Sequence, residues 1–331
     1  MATQGTTVLE RYGPRLLSLA TPIMFVAVFV FFGVQSPDFL SGESLTNILK
    51  QASFIGIAAV GITFVLLTAG IDLSVGSVMY LAPLIAGWCM REFGIDVAPA
   101  LLICLASGAV MGLINATAIV WLRIIPFIVT LSTLFLFRGA GTFLTSSRQL
   151  DFPRSINEFG LATVFGIPLP IVIFAGVVLA AHILLTRTTF GRQVYAVGND
   201  AEAARKAGIN VGWVTARVYV ISSMCAALAG FVLIAQIGRL DQSFGEGREF
   251  DVIAAAVLGG ASLFGGIGTA LSAVIGATLI QTVEAGLIFT GVGLYVQPIV
   301  QGGIIFLAVL FDSLRVIAVR RLGRRVIRTE G

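Results

Sequence analysis

The sequence predicts an all-α fold, a polytopic bundle of about ten membrane-spanning helices, on three observations. Of its 331 residues, 57% are hydrophobic and only 11% are charged, against about 25% charged in a soluble globular domain. From Ala52 to Met90 the only charged residue is Asp72, and from Val252 to Phe311 it is Glu284. Runs of this kind supply, several times over, the roughly 20 apolar residues that a helix needs to cross a bilayer.

The apolar runs fall at 16–34, 52–69, 75–90, 97–122, 124–144, 164–186, 214–237, 252–264, 270–290 and 294–311. The run at 252–264 is short enough to be re-entrant instead of spanning. The N-terminal stretch has no short apolar core with a small-residue cleavage site, so 16–34 reads as a retained first span. With the N-terminus on the cytoplasmic side, fourteen Lys and Arg lie on cytoplasmic segments, including Arg123, Arg187, Arg192 and the group from Arg315 to Arg328. Six lie on outer loops. The positive-inside rule therefore predicts both termini in the cytoplasm, in a single transmembrane domain over 1–331. That domain has a polar cytoplasmic segment at about 187–213 and a basic tail at about 312–331. The outer loops carry ten acidic residues against those six basic ones. The basic residues serve as anchors for anionic lipid headgroups, not as a nucleic-acid surface.

Several chemistries are excluded at this level. Cys89, Cys104 and Cys225 all sit in apolar runs and read as small buried hydrophobes, with neither disulfide nor metal site implied. His182, the one histidine, reads as a packed helix residue. Gly260 and Gly265 have the spacing of a P-loop start, but Gly266 and Ile267 stand where Lys and Ser/Thr are required, so the chain has no ATPase site of its own. The abundant phenylalanines are lipid-facing and core material. Gly108 and Gly112 have GxxxG spacing, which lets helices approach closely, here within the subunit.

Two glycine clusters interrupt the apolar runs. TAGIDLSVGS, Thr68 to Ser77, places Asp72, Ser74, Gly76 and Ser77 inside a hydrocarbon stretch. A charge there faces a bundle interior or an aqueous cavity, and an interrupted helix is tolerated where it is buried in protein or lines a cavity. Two compatible readings follow: Asp72 and Ser74 cap the next helix through its backbone N–H groups, or the stretch lines a translocation pathway. LGGASLFGGIGT, Leu258 to Thr269, shares a loose pattern with the first cluster at an offset of 192 residues and places Gly259, Gly260 and Ser262 as further pathway candidates. Internal repeats of this kind are common in transporters. Glu284 is a third candidate, either facing the pathway and tuning which solute passes or pairing with Arg138.

The longest polar segment contains AEAARKAG, Ala201 to Gly208. Strong helix formers follow Asp200, acidic residues lie in the first turn, and Arg205 and Lys206 lie in the last, matching the helix dipole. Gly208 is placed to end the helix. Such a short, well-capped polar helix lies outside the bilayer, either as a plain loop or as a docking element.

GIDLSVGS, the EAAR…GI segment and GREFDVIAAAVLGGASLFGGIGT, in that order and spacing, resemble the permease subunits of ribose-type ABC importers, in the branched-chain amino acid/ribose permease family. The resemblance covers nearly the whole chain. It implies a multi-pass protein of the bacterial inner membrane that works beside a second permease chain, the same or different. It also implies cytoplasmic ABC ATPase subunits holding ATP and Mg, with no cofactor on this chain, and a periplasmic sugar-binding protein that delivers a monosaccharide. The polar helix becomes the coupling element, with Asp200, Glu202, Ala203, Ala204, Arg205 and Gly208 meeting the ATPase. Where sugar permeases of this family often read Asn-Asn-Gly, this chain reads TVEAGL around Glu284. Other cargoes fit the same resemblance, namely a nucleoside or a furanosyl signalling molecule. Outside it stands an ion-coupled secondary transporter using Asp72 and Glu284.

Overall fold

A computed structural model describes residues 8–293, 295–300, 302–303, 306–307 and 310, with side chains from residue 22 onward. The predicted span at 294–311 is described only in pieces, and the basic tail lies wholly outside the described residues. The fold is a helical membrane bundle. Its helices are α1 (Val8–Gln35), α2 (Gly42–Leu67), α3 (Val75–Phe93), α4 (Val97–Ala116), α5 (Pro126–Thr145), α6 (Arg154–Leu161), α7 (Leu169–Arg187), α8 (Thr189–Asn199), α9 (Ala201–Lys206), α10 (Val211–Ile237), α11 (Arg248–Leu258) and α12 (Ala270–Phe289). Among the described residues, six helices are long and apolar enough to cross a membrane: α2, α4 with its continuation to Trp121, α5, α7, α10 and α12. Two two-residue pairings complete the architecture. β1 (Leu150–Asp151) pairs with β4 (Arg239–Leu240), and β2 (Thr163–Val164) forms a hairpin with β3 (Ile167–Pro168).

Local sequence signals set most of these ends. Ser41 accepts the Ser44 N–H at the start of α2 and Glu43 sits in the first turn, a favourable placement at a positive helix end. Thr269 and Ser272 form a reciprocal capping box at α12. Pro126 opens α5, where its missing N–H costs nothing. α3 and α10 end at Gly94 and Gly238, both left-handed (φ 62° and 77°).

The run at 252–264 does not make a span. α11 covers only Arg248–Leu258, about 16 Å of rise, and then gives way to a turn. The run at 164–186 starts as the β2–β3 hairpin and becomes helical at Leu169. α2 begins ten residues before the apolar run, because Ser41 and Glu43 nucleate it in a polar stretch.

Burial separates the helices into two layers. α2 is 83% buried over its apolar window and α10 is 72% buried, whereas α4, α5 and α7 are 28% buried each. α2 and α10 therefore form the core, while the outer helices present Leu102, Phe135, Leu136, Phe143 and Leu179 outward, as a lipid-facing layer does. Small residues let the core close. A Cβ on Gly108 would meet Ala227 Cβ at 2.6 Å and Ser223 O at 2.8 Å, and one on Gly112 would meet Val220 Cα at 2.7 Å. The GxxxG pair thus packs α4 onto α10 within the chain. Farther along α10, Gly230 faces the backbone of Met79 too closely for any side chain.

Gly112→Val should therefore force α4 off α10 and destabilise the protein by about 1–3 kcal/mol, the usual cost of overpacking. Gly139→Ala, where nothing lies within 4 Å, should leave stability unchanged or raised. Unfolding of the two variants in matched detergent micelles reads the difference.

Candidate functional site

Asp72 lies in the break between α2 and α3 and is fully buried. Ser74 donates to its Oδ1 twice, from the backbone N–H at 3.0 Å and from the hydroxyl at 2.6 Å. Ser222 of α10 donates to Oδ2 at 2.9 Å. Behind Ser74, Asn115 of α4 donates its amide to the Ser74 hydroxyl at 2.8 Å, and Thr133 of α5 donates to Asn115 Oδ1 at 2.7 Å. The backbone is met as well: Thr130 and Tyr219 donate to the Ile71 carbonyl at 3.2 and 3.3 Å. One carboxylate so ties the interrupted segment to α4, α5 and α10 in a continuous chain of donors and acceptors. In a dry interior such a chain polarises itself and each member strengthens the next. Ser222 stands about 16 Å of helix rise inside the Val211 end of α10, so Asp72 sits deep in the bundle, not at its rim.

The capping expectation holds in part. Asp72 closes a tight turn on the Ser74 N–H, but Ser74, the N-cap of α3, makes no side-chain bond to the helix backbone; its hydroxyl is taken up between Asp72 and Asn115. Ser77 donates to the Ser74 carbonyl at 2.8 Å. Gly76 is a close-approach glycine, since a Cβ there would collide with the Glu249 carboxylate and meet Gly245 O at 2.6 Å.

The second cluster does different work. Gly260, Gly265 and Gly266 take left-handed backbones (φ 106°, 86° and 73°), which side chains resist. The turn they form donates the Gly266 N–H to the Leu67 carbonyl at 2.9 Å, satisfying an otherwise open carbonyl at the end of α2. Gly259 packs on the Ser272 carbonyl, and buried Ser262 accepts the Phe264 N–H at 3.2 Å. The two clusters meet where Gly265 lies against Ala69.

That point is also where the polar segment is seated. Tyr195 of α8 donates to the Gly268 carbonyl at 2.7 Å, and Gly198 lies against Leu67 O and Gly266 N with no room for a side chain. α9 follows directly. Asp200 caps it, accepting the N–H groups of Glu202 and Ala203 at 2.9 and 3.0 Å. Gly208 (φ 85°) ends it, with Gly208 N–H to Arg205 O and Ile209 N–H to Ala204 O both at 3.0 Å, the paired bonds of a Schellman motif. Ala204 alone of the helix is buried; Asp200, Glu202, Ala203, Arg205 and Gly208 are exposed. Glu202 and Lys206 pair at 3.0 Å across the exposed face, an ion pair that contributes little. Between α9 and the core lies a cavity of about 980 Å³, lined among others by Ala69, Gly70, Arg123, Arg205 and Tyr219.

Glu284 stands apart from both clusters. It does not pair with Arg138. Its partners are Gln281, donating at 2.8 Å, and Arg248 at 3.6 Å. Arg138 instead donates to the carbonyls of Gln242 and Phe244 at 3.0 and 2.7 Å and lies 5.3 Å above the Tyr80 ring, pinning the loop that leads into α11. The sequence reading passed over Asn115, Ser222 and Arg248. A lone Asn within the apolar run at 97–122 and the Ser222–Ser223 pair within the run at 214–237 were the available signals.

Compared with known proteins, residues 44–309 match a family model described as the permease component of a branched-chain amino acid transport system. The chain is 36% identical to the ribose import permease of Escherichia coli over 90% of its own length and 94% of that protein. It is 37% identical to the D-allose transport system permease of Escherichia coli, over 89% and 91%. It is 33% identical to the galactose/methyl galactoside import permease of Escherichia coli, over 88% and 92%. No solved structure matches significantly.

Asp72→Ala should leave the donors of Ser74 and Ser222 without an acceptor and cost about 1–3 kcal/mol, the penalty of orphaned buried groups. Asp72→Asn, which keeps one acceptor, should cost less. Thermal unfolding of the two purified variants orders them.

Proposed function

We propose, since the chain belongs to the permease-component family of branched-chain amino acid transport systems, that it is the membrane-spanning subunit of an ATP-binding-cassette importer for a monosaccharide. The relatives named for ribose, D-allose and galactose, similar over nine-tenths of the chain, support the sugar reading. The observation that carries the coupling is α9: a short helix capped at both ends, exposed along all but Ala204, and following directly on α8, which is seated on the glycine turn at the end of α2. Cytoplasmic ATPase subunits holding ATP and Mg dock on it through Asp200, Glu202, Ala203, Ala204, Arg205 and Gly208. Small alanines allow the partner close approach, and the charges at the two ends fix its orientation. A push on α9 passes through Tyr195 and Gly198 of α8 to the end of α2 and the break that holds Asp72. Pathway roles for Asp72, Ser74, Gly76, Ser77, Gly259, Gly260 and Ser262 are read accordingly: they form the hinge of the pathway wall, held from inside the bundle.

The rest of the assembly follows the family. A second permease chain, the same or different, completes the pathway in the bacterial inner membrane, and a periplasmic binding protein delivers the sugar to the face opposite α9. The chain itself catalyses no reaction.

Glu202→Lys should leave unfolding unchanged, because the residue is exposed, and should lower ATP-dependent sugar uptake by at least tenfold with loss of the copurifying ATPase. Uptake at the unaltered level would remove α9 as the coupling element. Uptake that stops with an uncoupler but survives ATP depletion would replace the importer by an ion-coupled carrier.

A further inference from the structure

At the end of the bundle opposite α9, a cavity of about 520 Å³ opens between the start of α2, the β2–β3 hairpin, the end of α10 and the loop before α11. Its volume falls within the range of small-molecule sites. The wall is built in a particular way. Asn47, Gln51 and Gln236 bring three carboxamides, Phe244 brings aromatic surface, and Arg248 brings a guanidinium lying over the buried Phe54. Among the described residues, neither Asn47 nor Gln51 has a side-chain partner, and Gln236 reaches only its own helix at a long 3.4 Å. Their donors and acceptors are open to a solute.

The charge balance narrows the solute. Arg248 lies 5.6 Å from the Phe54 ring centre and is met from behind by Asp251 at 3.0 Å and Glu284 at 3.6 Å. What remains on the wall is one cation, Lys50, and one anion, Glu246. A phosphorylated or carboxylate-bearing solute would find no surplus positive charge. A neutral ring carrying several hydroxyls meets what it requires, since each carboxamide offers a donor and an acceptor and an aromatic face suits the C–H side of the ring.

We propose that this cavity is an entry subsite for a neutral monosaccharide within a single permease chain, with Gln51 and Gln236 as its specificity-determining residues. Glu284 is a positioning residue that acts through Arg248. The inference rests on the importer reading and places that reading's cargo in the fold.

The test uses the complete complex in liposomes with its sugar-loaded binding protein and radiolabelled ribose, allose and galactose as probes. Import and stimulated ATP hydrolysis are measured together. Gln51→Leu and Gln236→Leu keep side-chain volume and lie on the cavity wall, away from α9. Each should lower sugar imported per ATP about five- to tenfold, the factor for a lost hydrogen bond, with hydrolysis at the unaltered rate. Glu284→Gln should reorder the three sugars with hydrolysis likewise unchanged. Imported sugar per ATP equal to that of the unaltered complex in both leucine variants overturns the subsite, as does a loss of import that only parallels lost hydrolysis. An unaltered complex that hydrolyses ATP and imports none of the three sugars overturns the monosaccharide reading and the subsite with it.

Discussion

A carboxylate enclosed in a helical bundle has to be met on both oxygens, and the manner in which Asp72 is met organises this molecule. Its acceptors are filled by Ser74 and Ser222, Ser74 is held in turn by Asn115, and Asn115 by Thr133. Replacing any one member leaves a buried group unpaired, which costs more than the bond contributes when made. This asymmetry explains why an interrupted helix is stable here. The break at Thr68–Ser74 frees backbone groups that a membrane interior cannot tolerate bare, and Thr130, Tyr219 and Gly266 supply the missing partners to Ile71 and Leu67.

The glycines serve the same end by another route. Gly76 admits Glu249 and Gly245, Gly198 admits Leu67 and Gly266, and Gly230 admits Met79. Each lets backbone approach backbone where a methyl group would hold the elements apart. A continuous contact path results, from the exposed α9 through α8 to the end of α2 and on to the carboxylate. The helix proposed as the docking element and the buried network are thereby joined by one path of contacts, which is what the importer proposed above would use.

Much of this was legible in the sequence. The membrane class followed from composition, and α9 followed residue by residue from Asp200, the alanines and Gly208, because helix caps are local chemistry. The packing of Gly108 and Gly112 inside the chain was legible from spacing. Asp72 was visible as an anomaly, but its partners were not: Asn115 and Ser222 are distant in sequence and become neighbours only when α4 and α10 pack. The same limit hid the Glu284–Arg248 pair and made Arg138, an arginine within an apolar run, the natural candidate. The shortness of α11 was legible as an alternative, since the 252–264 run is marginal for a span. That the second glycine cluster seats α8 was not legible, because a seat is defined by the surface it receives.

The most direct test of the central role given to Asp72 is a double-mutant cycle between Asp72 and Ser222, with Asp72→Ala, Ser222→Ala and the double variant unfolded under identical micellar conditions. Direct pairing across the break predicts a coupling energy within the range of about 0.5–3 kcal/mol found for residues in contact. Costs that add to within about 0.3–0.5 kcal/mol, as they do for independent sites, would contradict the network and leave the interrupted helix to be explained by packing alone.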